Sequence, residues 1–217
     1  MAASTKYRAW DDYFIPGTTV LRNKFTSPAE PFGITDAAEL AEREAQFARI
    51  RLIELSETPI RGDFDYDHMK AIHRHIFSDV YEWAGEERTA PIGFMTKDGH
   101  AYYGAGAALT AAAEAEYAKI AKADFLRNMA IDQFVSELAE RWGELNVIHS
   151  FREGNTRAQF VFFTQLCNQA GYSLDANAFQ PGNPLRDEFV RARFHSQDTG
   201  SNAQLARVLT EMIIPLD

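Results

Sequence analysis

One stretch constrains this chain more than any other: His149 to Phe160, HSFREGNTRAQF, set between two apolar runs. Upstream, Ile131, Phe134, Val135, Leu138, Trp142 and Leu145 follow i, i+3, i+4, i+7 spacing and lead through Ile148 into His149. This pattern predicts the strongest amphipathic helix of the chain. Downstream, Phe160, Val161, Phe162, Phe163, Leu166 and Cys167 leave almost no polar face, which predicts a centrally buried helix stopped by Gly171. A short polar loop therefore feeds straight into a helix N-terminus. There, unpaired N–H groups and the helix macrodipole favour an anion.

The loop carries the chemistry such a place could use. His149 has an ordinary pKa that leaves it neutral at working pH, so it can take a proton from a hydroxyl. Phe151 reads as an anchor holding the loop on the core. Glu153 suits a hard cation such as Mg²⁺, which binds through one carboxylate and leaves its other positions to phosphate oxygens and water. Gly154 permits positive φ and close approach of a ligand to the backbone. Asn155 can cap the next helix or donate its amide to a phosphate oxygen. Arg157 in the first helical turn opposes the macrodipole, a mismatch that a bound polyphosphate would relieve. The loop reads as a phosphate cradle with a base at its edge. Arg152 receives no role, and Ser150 is not read as a nucleophile paired with His149. His73 and His75, two apart on a helix, face different ways and are not read as ligands.

The rest of the chain predicts a single domain, residues 1–217, mainly helical. An aromatic arm, about 1–35, includes a turn of helix beginning at Val20 and Leu21. Asp36 with Glu39 forms a capping-box signal, followed by Leu40, Phe47, Ile50 and Leu55 on helical spacing up to Pro59. Ile72, Ile76, Phe77 and Val80 predict a second helix ending near Trp83 and Gly85. Residues 89–103 lose this periodicity, and Asp98-Gly99 signals a two-residue hairpin, expected to be the only sheet. An Ala-rich helix over Leu109–Phe125 follows, and two more are expected around Leu185–Phe194 and Gln204–Ile214.

Charge and cysteine usage narrow the function. A net charge of −9 argues against a sequence-blind nucleic-acid binder, so no direct nucleic-acid partner is expected. Cys167 is the only cysteine, which excludes an intrachain disulfide and a cysteine zinc cluster. The charged start MAASTKYRAWDDYF lacks a signal-peptide core, and no run approaches a membrane span. The expectation is a cytoplasmic bacterial protein with no membrane partner, with delivery into another cell left open.

The loop resembles the signature of the Fic (filamentation induced by cAMP) family, H-x-F-x-[D/E]-G-N-[G/K]-R-x-x-R, at His149, Phe151, Glu153, Gly154, Asn155 and Arg157. The likeness extends to YFIP…VLRN, to IHRHIFSDVYEWAGEERT, and to the hairpin segment and the helices around the signature. It implies an all-α fold, a Fic-type helical bundle with a small β-hairpin flap, and transfer of AMP from ATP, the co-substrate, to a protein Ser, Thr or Tyr hydroxyl. His149 would be the base and Glu153 would hold Mg²⁺. Gly154, Asn155 and Arg157, with Thr156 between them, would line the anion hole. The flap, with Gly93, Phe94, Met95, Thr96 and Lys97, would hold a target protein by strand addition.

Thr156 and Phe160 depart from the signature. The first stands for Gly or Lys, and the second for an arginine that in the family contacts the γ-phosphate. Loss of one charged hydrogen bond is worth ~1.5–3 kcal/mol, so weakened or altered nucleotide use is expected rather than inactivity. The family's inhibitory motif [S/T]-x-x-x-E-[G/N] has no match near either end, which suits restraint by a separate small antitoxin. The alternative readings are a Fic-fold enzyme using another nucleotide or phosphate donor, or a catalytically faded Fic-fold binding protein.

Overall fold

A computed structural model describes residues 6–97 and 99–216. Among them are seven α-helices and two small antiparallel sheets. α1 (Ala37–Glu57) starts where the Asp36 carboxylate accepts the Glu39 N–H at 2.8 Å, as the capping signal predicts. Its core face is narrower than the spacing suggests: Leu40 and Leu55 are buried, but Ile50 and Ile53 face solvent. α2 (Tyr66–Phe77) is capped by Asp65 and ends earlier than expected; Val80 and Trp83 are buried from the turns that follow it. The arm holds a 3-10 turn at Trp10–Tyr13. Val20 and Leu21 do not start a helix, because Leu21 bridges back to Phe14 as extended chain.

α3 (Ala107–Lys122) and α4 (Ile131–Ile148) follow the hairpin, and α4 buries Phe134, Val135, Leu138, Trp142 and Leu145 as its periodicity requires. α5 (Asn155–Ala170) begins five residues before the apolar run starts, at Asn155, and Gly171 closes it in left-handed conformation. Phe162, Phe163, Leu166 and Cys167 are wholly buried, and the Trp142 and Phe163 rings stack at 4.4 Å, so α4 and α5 form the centre of the core. α6 (Pro184–Thr199) and α7 (Ala203–Met212) pack across α4.

The hairpin pairs β1 (Phe94–Lys97) with β2 (His100–Tyr103), Phe94 opposite Tyr103 and Lys97 opposite His100. Gly99 takes φ +83° at the turn; its predicted partner Asp98 lies outside the described residues. The hairpin is not the only sheet. β3 (Tyr172–Leu174) pairs with β4 (Ile213–Pro215), tying the end of α5 to the end of α7.

Candidate active site

The loop between α4 and α5 is built by backbone conformation before any side chain reaches a ligand. His149 ends α4 in left-handed conformation, φ 51° and ψ 58°, which turns the chain sharply out of the helix. Gly154 repeats the device at φ +79°, and a Cβ there would lie 2.3 Å from Phe77 Cε2, so the position admits only glycine without rearrangement. α5 then presents its first N–H groups to the concavity between these two bends.

Three side chains hold this geometry. The Asn155 carboxamide closes a ring with one residue, accepting the Phe151 N–H at 2.9 Å and donating to the Phe151 carbonyl at 2.8 Å. In place of the expected cap on α5, whose N-cap is Gly154, the buried amide braces the loop, and Asn155 lines the pocket. His73, wholly buried on α2, stacks on Phe151 at 3.9 Å. Its Nδ1 accepts the Gly85 N–H at 2.8 Å, so its Nε2–H donates to the Glu153 carbonyl at 2.9 Å. Burial pushes its pKa down to about 3. Neither His73 nor His75, which pairs with Glu54, belongs to a cluster of metal-ligating side chains among the described residues. Arg88, wholly buried, donates from Nε to the His149 carbonyl at 2.8 Å and from Nη2 to the carbonyls of Tyr103 and Ile148. It fastens the root of the hairpin to the end of α4.

Arg152, left without a role by the sequence, is buried under the arm, its guanidinium 3.7 Å from the Trp10 ring centroid. Arg157 has a partner that sequence proximity does not reveal. Its mismatch with the macrodipole is already relieved, because its guanidinium pairs with Glu44 of α1 and lies 4.6 Å over the Phe77 ring. Glu44 also accepts from the Tyr81 hydroxyl, whose pKa is raised by burial and by that carboxylate.

What these supports surround is a pocket of about 130 Å³ lined by Lys97, Tyr102, His149, Glu153, Gly154, Asn155, Thr156, Arg157, Arg193 and Phe194. The signature residues His149, Glu153, Gly154, Asn155, Thr156 and Arg157 thus converge, while Phe151 points into the core as an anchor should. His149 lies under the Tyr102 ring at 4.5 Å. Its pKa falls to about 3, chiefly by burial, then by the positive charges of Lys97, Arg88 and Arg193, so the ring is neutral and able to accept a proton. Glu153 faces the pocket with Oε2 3.5 Å from Lys97 Nζ and Oε1 accepting its neighbour's N–H at 3.2 Å. Of the flap residues, Lys97 lines the pocket and Met95 is buried beneath the hairpin. Gly93, Phe94 and Thr96 face solvent, with Ile92 also exposed beside them. Phe160 does not enter the pocket; its ring packs 4.7 Å from Phe179. Thr156 Oγ1 accepts from Arg193 of α6 at 3.0 Å.

The model of the Fic/DOC family matches residues 63–167, which run from the start of α2 into α5. Protein adenylyltransferase VbhT of Bartonella schoenbuchensis is 37% identical over 94% of the chain, which spans 40% of that longer protein. The probable protein adenylyltransferase y4lH of Sinorhizobium fredii is 35% identical, with 96% of this chain and 99% of that protein aligned. The chain belongs to the Fic/DOC family. Solved Fic domains share its fold at lower identity. BepC of Bartonella tribocorum, a VirB-translocated effector solved with AMPPNP, superposes with a TM-score of 0.82 at 21% identity over 99% of this chain and all of that one. The N-terminal Fic domain of Bep8 from Bartonella sp. 1-1C gives 0.80 at 24% identity, covering 95% of each chain. The all-helical bundle with its hairpin is thus the Fic fold.

Proposed function

We propose that this Fic-family chain is a protein adenylyltransferase, moving AMP from ATP to a Ser, Thr or Tyr hydroxyl of a target protein. The observation that carries the reading is the convergence of a neutral imidazole, a pocket-facing carboxylate, a helix N-terminus and cationic side chains on one small pocket. Similarity to y4lH along almost the full length of both chains supports it.

In this reading His149 takes the proton of the target hydroxyl as its oxygen bonds to the α-phosphorus. The bond from that phosphorus to the β-phosphate bridging oxygen breaks and pyrophosphate leaves. The first N–H groups of α5 and the Arg157 guanidinium stabilise charge on the transferred group, being aimed before reaction. Arg157 reaches phosphate by turning from Glu44. A polyphosphate also screens His149 from Lys97 and Arg193, which removes part of what lowers its pKa while burial, the larger cause, stays. Glu153 fits the single-carboxylate mode by which Mg²⁺ is held beside phosphates, since it faces the pocket and its nearest cation, Lys97, is 3.5 Å away. The metal, when bound, would neutralise phosphate charge.

The hairpin edge, with Phe94 and Ile92 exposed, is the proposed seat of the target segment, added as a further strand. A separate small antitoxin is a second proposed partner. No described helix is long and apolar enough to cross a membrane. We place the protein's work in a cytoplasm, its own or that of a recipient cell.

Phe160 favours the enzyme over a faded binding protein, because its ring turns to Phe179 and leaves the pocket open. The test is incubation with labelled ATP, GTP, UTP or CTP, Mg²⁺ and a bacterial lysate, beside His149→Ala. Label from ATP on a protein band, lost in the variant, is the expected result. Label from another nucleotide would change the donor. Label from none, with wild-type protein still binding nucleotide, would replace the enzyme by a binding protein.

A further inference from the structure

Arg88, Arg152 and Arg193 are the buried arginines among the described residues, and of these Arg193 alone lines the pocket. Arg88 serves several backbone carbonyls, and Arg152 lies over Trp10 away from the pocket, its Nε without a partner among the described residues. Arg193 of α6 is 8% exposed, yet no carboxylate lies within ion-pair distance of it among the described residues. Among the described residues its one hydrogen bond goes to the Thr156 hydroxyl, and its buried Nε finds no partner. The rings of Phe189 and Phe194 lie 5.9 and 5.6 Å from its carbon centre. Burial lowers its pKa, so the fold bears the cost of a charge that it does not pair. The guanidinium lines the same pocket as the α5 N-terminus.

We propose that Arg193 is a polyphosphate-binding residue, supplied from α6 in place of the arginine that the signature lacks at Phe160. This rests on the nucleotide reading above and deepens it. Thr156 gains a purpose: its hydroxyl holds the guanidinium at the pocket wall until phosphate oxygens replace that weaker acceptor. A guanidinium offers several N–H donors in a planar fork, and here only one is used, so the remainder are available to an anion. Positions 156 and 160 are one helical turn apart, so a cation held at Thr156 stands over the same face of α5 that an arginine at 160 would occupy.

The test is calorimetric titration of wild type, Arg193→Gln and Arg193→Lys with ATP plus Mg²⁺, adenosine, and inorganic tripolyphosphate, with unfolding midpoints taken in parallel. Arg193→Gln should weaken ATP and tripolyphosphate binding ~10–100-fold and leave adenosine binding unchanged; Arg193→Lys, which keeps charge but not the fork, should fall between. Equal loss for adenosine and ATP would make Arg193 a structural residue and overturn the proposal. Wild-type affinity for ATP retained in a folded Arg193→Gln would overturn it too, leaving the adenylyltransferase reading intact. A wild type that binds neither ATP nor tripolyphosphate would overturn both.

Discussion

His73 should steepen the acid limb of this protein's stability, alongside His149, whose pKa is lowered as far. The His73 ring is wholly buried between α2 and the signature loop, with a pKa near 3 against 6.5 for a free histidine. The unfolded chain therefore takes up a proton that the folded chain refuses. Stability is complete above pH 6.5 and falls as pH drops toward 3. The slope from this one group is ~1.4 kcal/mol per pH unit, or ~5 kcal/mol across the window. His73→Phe keeps the stack on Phe151 but strands the Gly85 N–H and the Glu153 carbonyl, at ~1–3 kcal/mol each. Water reaches half-exposed Glu153, so a total of ~3 kcal/mol at neutral pH is expected. The variant should begin less stable but lose stability less steeply, and the two curves should cross at roughly pH 4–5. Urea unfolding followed by tryptophan fluorescence across that range measures both. His149 and the lowered carboxylates Asp12, Glu54, Asp79 and Glu82 titrate in both proteins, so the difference isolates His73. Parallel acid limbs would refute the reasoning.

Gly154→Ala forces a Cβ against the Phe77 ring at positive φ; a loss of ~2–4 kcal/mol in thermal unfolding and loss of nucleotide binding are expected. The His149 ring should show no titration between roughly pH 5 and 8 by NMR in the unloaded protein, because its pKa is about 3; a midpoint near 6.5 would contradict the burial argument. Arg88→Met leaves carbonyls of the hairpin root and the α4 end unpaired, so amide exchange over residues 92–105 should accelerate at least tenfold. The inner strand, β2, is latched to α6 by His100 Nδ1, 2.7 Å from Asp198, and by the Gln197 side chain on the Ala101 carbonyl. His100→Ala should speed exchange in β2 alone, and an unchanged pattern would show that this latch carries no load.

The helices were legible because apolar spacing reports burial directly, as α4 and α5 illustrate. Ile50 fits α1's spacing but faces water, since periodicity gives a stripe and not the partner that covers its edge. The second sheet escaped notice because three-residue strands nearly 40 positions apart leave no local signal. The signature residues could be read together because they are neighbours in sequence. Their supports could not: Glu44 meets Arg157, His73 meets Glu153 and Arg193 meets Thr156 only after folding. Arg157 at the N-terminal end of a helix pointed to a bound polyphosphate, but its partner in this structure is a carboxylate. The carboxylate found there belongs to α1.

The grip of Arg88 on both the hairpin root and the carbonyls ending α4 ties the rim that would present a client to the ring that would accept its proton. Residues at the hairpin's outer edge lie beyond that knot. Under the proposed function they could vary with each new client while the spacing between hydroxyl and imidazole stayed set from behind.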